Sequence, residues 1–381
     1  MNRSRVLAAV VAVVLVAGVL WWVGKDDEGS AAVACAPSEI PEHDDTTLVV
    51  EGDAWSGYAP FRDPELLQGT EYSLLYVDQV CQGVRHADLT AGRADFAVTT
   101  LDQYLLNNPD GTVVGIIDQS VGADALVLGT GNHDELDNID DIPALVEQFA
   151  SAGRKPKLAY TANSPSEMLL NELANTAEEL TLADFELVPV DQSLTAYEML
   201  EDDDVQLAVV WEPETTAARA AGHTVTLSSA DVPHSIVDVI VASDRLIERD
   251  PNAVQAVVTA FYTRMDQLLA DPAALQAFYA TDGQLDPEVA QQLIAGIKLY
   301  GTTEAAEYLN TEVFPLDKAL MQQSVESIES LLSLVHPEMP LGQAQIDGIY
   351  VSNVALRTRQ PAAPPPPPPP ETPADEEEPE T

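Results

Sequence analysis

Basic residues are scarce in this chain. Seventeen lysines and arginines stand against 63 acids over 381 residues, a formal net charge of −46. A surface of that sign repels polyanions, which excludes DNA or RNA as a partner. Only 5 of the bases are lysine. A lysine-poor, acid-rich surface keeps its hydration in strong salt, where like charges are screened. A high-salt habitat and an ordinary acidic secreted protein both fit. Salt should relieve the self-repulsion, so the thermal midpoint is expected to rise between low and molar sodium chloride; a flat or falling midpoint contradicts this. Cysteine occurs only at positions 35 and 81. Outside the cytoplasm a Cys35–Cys81 disulfide is allowed; two unrelated thiols are the alternative. The six histidines, at 43, 86, 133, 223, 234 and 336, show no H-x-H or H-x-x-x-H pairing. No zinc site and no cofactor are therefore expected. Enzyme signatures are also missing. "AWSGY" (54–58) lacks the first glycine of a nucleophile elbow. "GTGNHDE" (129–135) is neither G-x-G-x-x-G nor a P-loop. "DELDNIDDI" (134–142) lacks the glycine of a calcium loop and reads as the capped start of a helix.

What is present starts with a hydrophobic run. Val6 to Val23 is 18 residues without a charge, preceded by Arg3 and Arg5. As a helix it reaches about 27 Å, close to a bilayer core. Trp21 and Trp22 stand at its outer end, and the basic flank holds the N-terminus in the cytoplasm. A cleaved signal peptide would use Ala32-Val33-Ala34, but Lys25 to Ser30 separate that site from the apolar run. A lipoprotein would use Cys35, but Ala32 stands where leucine is usual. The expectation is one uncleaved transmembrane helix (1–24 with its cytoplasmic stub), leaving the rest extracytoplasmic at the cell membrane. N-terminal sequencing of protein from native membranes checks it; a mature terminus at Cys35 would contradict it.

Residues 25–45 read as a polar linker. From 46 to 356, strand-like and helix-like segments alternate. Apolar runs begin at Thr46, Asp95, Thr112, Ala125, Lys157, Phe185, Gln206 and Ile236. Asn252 to Leu269 sets Val254, Val257, Val258, Phe261, Met265 and Leu268 on one helical face. This alternation argues an α/β fold with mainly parallel sheets, whose ligands bind outside the carboxyl ends of strands. Residues 357–381 form a tail: seven prolines, Pro364–Pro370, make a stiff spacer before a disordered acidic end.

Several strand ends carry chemistry. "EGDAWSGYAPF" (51–61) leaves Trp55 and Tyr58 in a turn, where exposed rings need a reason. "VTTLD" ends in Thr100 and Asp102, "IIDQSVGAD" spans Asp118, Gln119 and Asp124, and "VVWEPE" holds Trp211 and Glu212. In "YTANSPSE", Ser164 fits an N-cap, Pro165 the first helical position and Glu167 the capping-box position. Such a helix start offers the Ser166 and Glu167 N–H groups to a ligand, unless the box satisfies itself. Trp211 fits a pocket wall or a core. Asp238, inside "SIVDVIVA", is a buried acid that reads first as structural. The strand-end acids have no lysine or arginine among them, and the nearest base is Arg62. A cation or a neutral, donor-rich ring therefore fits better than a plain anion.

The order of motifs resembles the nitrate/sulfonate/taurine-type (NMT1/THI5-like) solute-binding proteins of ABC importers. The matching stretches are "GYAPF" (57–61), "LTAGRADFAVTTLD" (89–102), "DQSVGADALV" (118–127), "LAYTANSPSEMLL" (158–170), "VQLAVVWEP" (205–213), "IVDVIVASDRLIERDP" (236–251) and "GIKLYG" (296–301). The resemblance implies a two-lobed type II periplasmic-binding-protein fold. Lobe one would be 46–123 with 238–356 and lobe two 124–237, joined near Gly122–Leu126 and Ser235–Val239. Carried over, the ligand-binding wall comprises Trp55, Tyr58, Thr100, Asp102, Gln119, Asp124, Ser164, Ser166, Trp211 and Glu212. It implies a small-molecule ligand, an ABC permease as partner, a monomer, and no catalysis. Related pyrimidine synthases of thiamine biosynthesis are enzymes, but carry a cysteine-rich cluster that this chain lacks. The anchor and tail depart from the family pattern and leave an envelope sensor as an alternative to an importer component.

Overall fold

Two β-sheets organise the chain in a computed structural model that describes residues 35–130, 138–176, 180–232 and 235–308. The expected anchor, the first ten residues of the linker (25–34), the part of lobe one beyond residue 308 and the proline-rich tail lie outside the described residues. Among the described residues no helix is long and apolar enough to cross a membrane.

The first sheet takes β1 (Thr47–Gly52), β2 (Ser73–Asp78), β3 (Phe96–Thr100) and β4 (Gly111–Ser120). The second takes β5 (Ala125–Leu128), β6 (Lys157–Thr161), β7 (Glu186–Val190), β8 (Leu207–Val210) and β9 (Thr224–Ser228). The chain then returns to the first sheet with β10 (Val237–Ser243) and β11 (Ile297–Leu299). The orders are β11-β4-β10-β3-β1-β2 and β7-β6-β8-β5-β9. Central strands such as β5 and β8 are buried along their whole length, which explains their unbroken apolar runs.

The expectation of mainly parallel sheets needs correction. Among the described residues, four of the nine strand pairings are parallel and five antiparallel. The reason is geometric. Strands such as β1, β3, β6 and β8 end at the edge where the sheets meet. A strand arriving from the other sheet starts at that edge and runs away from it. So β5 lies antiparallel to β8 and β9, and β10 antiparallel to β3 and β4.

The two connections are bonded to each other. The Ser120 and Ser229 hydroxyls are 2.6 Å apart, and Ser229 Oγ accepts the Gly122 N–H at 2.7 Å. Gly122 has φ of +119°, a conformation that favours glycine. Helix Pro251–Ala270 covers the first sheet, with all six face residues named above buried and Phe261 stacked on Phe61 at 4.9 Å between centroids.

A disulfide joins Cys35 to Cys81. It straps residues 35–40 beside β2, where Gln79 Nε2 donates to Ser38 Oγ at 2.9 Å and to the Ala36 carbonyl at 3.2 Å. Its 46-residue separation implies loop-entropy stabilisation of about 4 kcal/mol. Cys81→Ser should therefore lower the thermal midpoint by several degrees, and a reductant should do the same to wild type only; an unmoved midpoint contradicts this.

Candidate ligand-binding site between the two sheets

The turn after β1 is built to hold its rings. Asp53 Oδ1 accepts the Trp55 N–H at 2.9 Å, and a helical turn at Ser56–Tyr58 follows. Gly57 lies against Asp118: a Cβ there would stand 1.8 Å from Asp118 Oδ2. That close approach lets Trp55 Nε1 donate to Asp118 Oδ2 at 3.3 Å, while the Tyr58 hydroxyl donates to Asp238. Two arginines hold the turn from behind. Arg62 donates to both Asp282 oxygens, at 3.0 and 2.6 Å, and to the Asp53 and Trp55 carbonyls. Arg85, fully buried on helix Gln82–Ala91, pairs with Asp53 and donates to the carbonyls of Gln79, Val80 and Val98.

Beneath the rings lie acids. Asp118 and Asp238 are register partners on β4 and β10, so each carboxyl group feels the other. Both are buried. Burial pushes Asp118 up to about 7, against the donated Trp55 bond. Asp238 goes well above the carboxylate range through burial and then the neighbouring Asp118. Asp124, where β5 begins, rises to about 7 through burial; the Ser120 hydroxyl eases this, and Asp118, Asp102 and Glu212 add to it. His86 contributes no positive charge, since burial and then Arg85 push it down to about 3.

Asp124 and Asp238 line a narrow pocket between the sheets, with a volume of about 20 Å³. From the first sheet come Asp53, Trp55, Tyr58, Val80, Gln82, Thr100 and Asp238. Asp124 and Ile236 come from the connections, and Ser164, Pro165 and Trp211 from the second sheet. Among the described residues no group of three or more histidines, cysteines and acids could hold a metal ion.

A family model described as NMT1/THI5 like matches residues 77–275, just over half the chain. The chain belongs to the NMT1/THI5-like family. No curated protein matches it in sequence. Among solved structures, the periplasmic nitrate-binding protein NrtA of Synechocystis PCC 6803 is similar, with a TM-score of 0.61 at 14% identity over 85% of this chain and 89% of that one. The alkanesulfonate-binding protein SsuA of Xanthomonas axonopodis pv. citri, bound to MOPS, gives 0.59 at 15% identity over 79% and 96%. The desulfurization enzyme DSZB gives 0.56 at 14% over 82% and 98%. At these identities the likeness speaks for the fold alone, and that fold hosts binders and an enzyme.

In this NMT1/THI5-like chain, six of the ten residues expected at the wall line the pocket: Trp55, Tyr58, Thr100, Asp124, Ser164 and Trp211. The other four are buried but do not line it. Asp102 accepts from Gln103 Nε2 at 3.1 Å, and Gln119 Oε1 accepts from the Tyr300 hydroxyl at 3.3 Å. Glu212 caps helix Glu214–Ala221 by accepting from the Thr216 N–H and hydroxyl at 3.0 and 2.9 Å. Ser166 opens helix Ser166–Thr176 with its side chain buried.

The offer of N–H groups at that helix start also needs correction. Ser164 Oγ takes the Ser166 N–H at 3.2 Å, and the Ser164 carbonyl takes the Glu167 N–H at 3.1 Å. The Glu167 carboxylate reaches back to the Asn163 N–H at 3.0 Å. The cap satisfies itself one residue earlier than the sequence pattern implies, because Asn163 adopts a left-handed conformation (φ 53°) that turns its N–H inward. Asp238, read first as structural, lines the pocket as well as holding Tyr58. Asp53, Gln82 and Arg85 were missed. The signal for Asp53 was present in "EGDAW", an acid at a strand end two residues before the tryptophan.

Proposed function

We propose that this chain is a membrane-tethered, extracytoplasmic solute-binding protein of an ABC importer. It captures a small organic molecule between two lobes, residues 46–123 with 238–356 and residues 124–237, and presents it to a permease as a monomer. The observation that carries the reading is the pocket itself. It draws its wall from both sheets and lies beside the only two connections between them among the described residues. Closing the sheets over a ligand, by bending at residues 121–124 and at Ser229 and Ser235 on the return connection, buries both walls from water in one step. Ten residues, Trp55, Tyr58, Thr100, Asp102, Gln119, Asp124, Ser164, Ser166, Trp211 and Glu212, make the binding wall and the layer supporting it.

An enzyme is the second reading. DSZB shares the fold, and the neighbouring Asp118 and Asp238 resemble the carboxyl pairs that move protons in catalysis. One experiment separates the readings. Full-length chain is purified gently from its own membranes, and the molecule freed on denaturation is identified. Cells lacking the chain should take up that molecule at least tenfold more slowly. Unchanged uptake contradicts the importer role, and conversion of the molecule by the purified chain favours the enzyme.

A further inference from the structure

We propose that the pocket takes a small organic cation with a flat face, its positive group held by Asp124 and Asp238 and its face covered by Trp55 and Trp211. This rests on the solute-binding reading and names the substrate class of that site.

Three observations converge. First, the wall has no base among the described residues. Arg85 is committed to Asp53 and three carbonyls, and Arg62 to Asp282 and the Asp53 and Trp55 carbonyls. Second, the helix start at Ser164 keeps its N–H groups for Ser164. An anion would meet no cationic side chain among the described wall residues and would sit beside buried carboxyl groups. Third, two indoles reach the pocket from opposite sheets, Trp55 after β1 and Trp211 after β8. A delocalised cation gains from such faces as well as from carboxylates.

The acids then become binding partners. Without a ligand, burial keeps protons on this group. A cation entering between Asp124 and Asp238 supplies the compensating charge, so protons leave as it binds. The groups facing them are Asp118 on β4, Asp102 and Glu212 behind Asp124, Tyr58 on the β1 turn, and Arg85, neutralised by Asp53. Cation affinity should therefore rise between pH 5 and pH 8.

The test is calorimetry on the full-length chain in detergent, stripped of bound molecules. Probes are guanidinium, benzylammonium and 4-aminopyridinium, against nitrate, methanesulfonate and benzenesulfonate. At least one flat cation should bind, tighter at pH 8 than at pH 5, and weaken at least tenfold in Asp124→Asn and in Trp211→Ala. Circular dichroism of both variants shows whether they fold; if Asp124→Asn does not, Asp124→Glu replaces it and must weaken and shift the pH profile. A nitrate or sulfonate bound tightly, and equally by both variants, overturns the proposal. When no probe binds, the molecule recovered from native membranes decides: a cation supports the proposal and a neutral or anionic molecule overturns it while sparing the solute-binding reading. Recovery of no molecule overturns both.

Discussion

Replacing Arg85 by methionine should cost about 3–5 kcal/mol of stability, the usual loss when one partner of a buried ion pair is removed. Arg85 is fully buried and ties Asp53 to the residues after β2 and to the middle of β3 through the carbonyls of Gln79, Val80 and Val98. Without it, Asp53 keeps a charge in a site only 8% exposed, and three carbonyls lose a donor. Asp53 also positions Trp55, so the damage reaches the pocket. Chemical denaturation of the wild type, Arg85→Met and the double variant Arg85→Met/Asp53→Leu measures this. The double variant should recover part of the loss, because no lone charge remains. A single-variant loss below about 1 kcal/mol, the range of an exposed pair, would refute the role given to Arg85.

The acid group should make the protein more stable at pH 5 than at pH 8. Asp118 and Asp124 titrate near 7 when folded, against roughly 3.9 in an unfolded chain. Between those values the folded chain holds protons that the unfolded chain has released, so stability falls as pH rises through this window and levels off above about 7. Each unit of pKa difference is worth about 1.4 kcal/mol, which makes the combined effect on the order of several kcal/mol. Asp118→Asn removes the charge but leaves an acceptor for Trp55 Nε1. At pH 8 it should raise the thermal midpoint, and it should flatten the pH profile. Molar salt in all samples removes the contribution of surface repulsion. A wild-type midpoint that climbs from pH 5 to pH 8, or an Asp118→Asn variant less stable than wild type at pH 8, would contradict the account.

Much of this was legible in the sequence because central strands carry an unbroken apolar signature. β3, β4, β5, β6, β8 and β10 all begin within two residues of the runs that announce them. The strands that gave no such signal, β2, β9 and β11, lie at sheet edges, where one side meets water or a loop. Strand direction was misjudged because alternation with helices reports crossovers within a sheet, and says nothing of strands entering from another sheet. At the site, the rule that ligands meet strand carboxyl ends located Trp55 and Trp211. It could not tell which acids face the pocket. Asp102 and Glu212 stand two residues past the ends of β3 and β8 and bond into the helical turns that follow, whereas Asp238 lies at the beginning of a strand, where the rule does not look. Arg85 was hidden for another reason: a helical arginine in an acidic chain looks like a solvated residue until the fold closes over it.

The central claim is that the pocket between the sheets holds a small molecule. Native mass spectrometry of full-length chain drawn gently from its own membranes tests it most directly, with wild type beside the Trp55→Ala/Trp211→Ala double variant. One molecule per chain in the wild type, absent from a folded double variant, is the predicted result. A molecule retained equally by both, or none in the wild type, would contradict it.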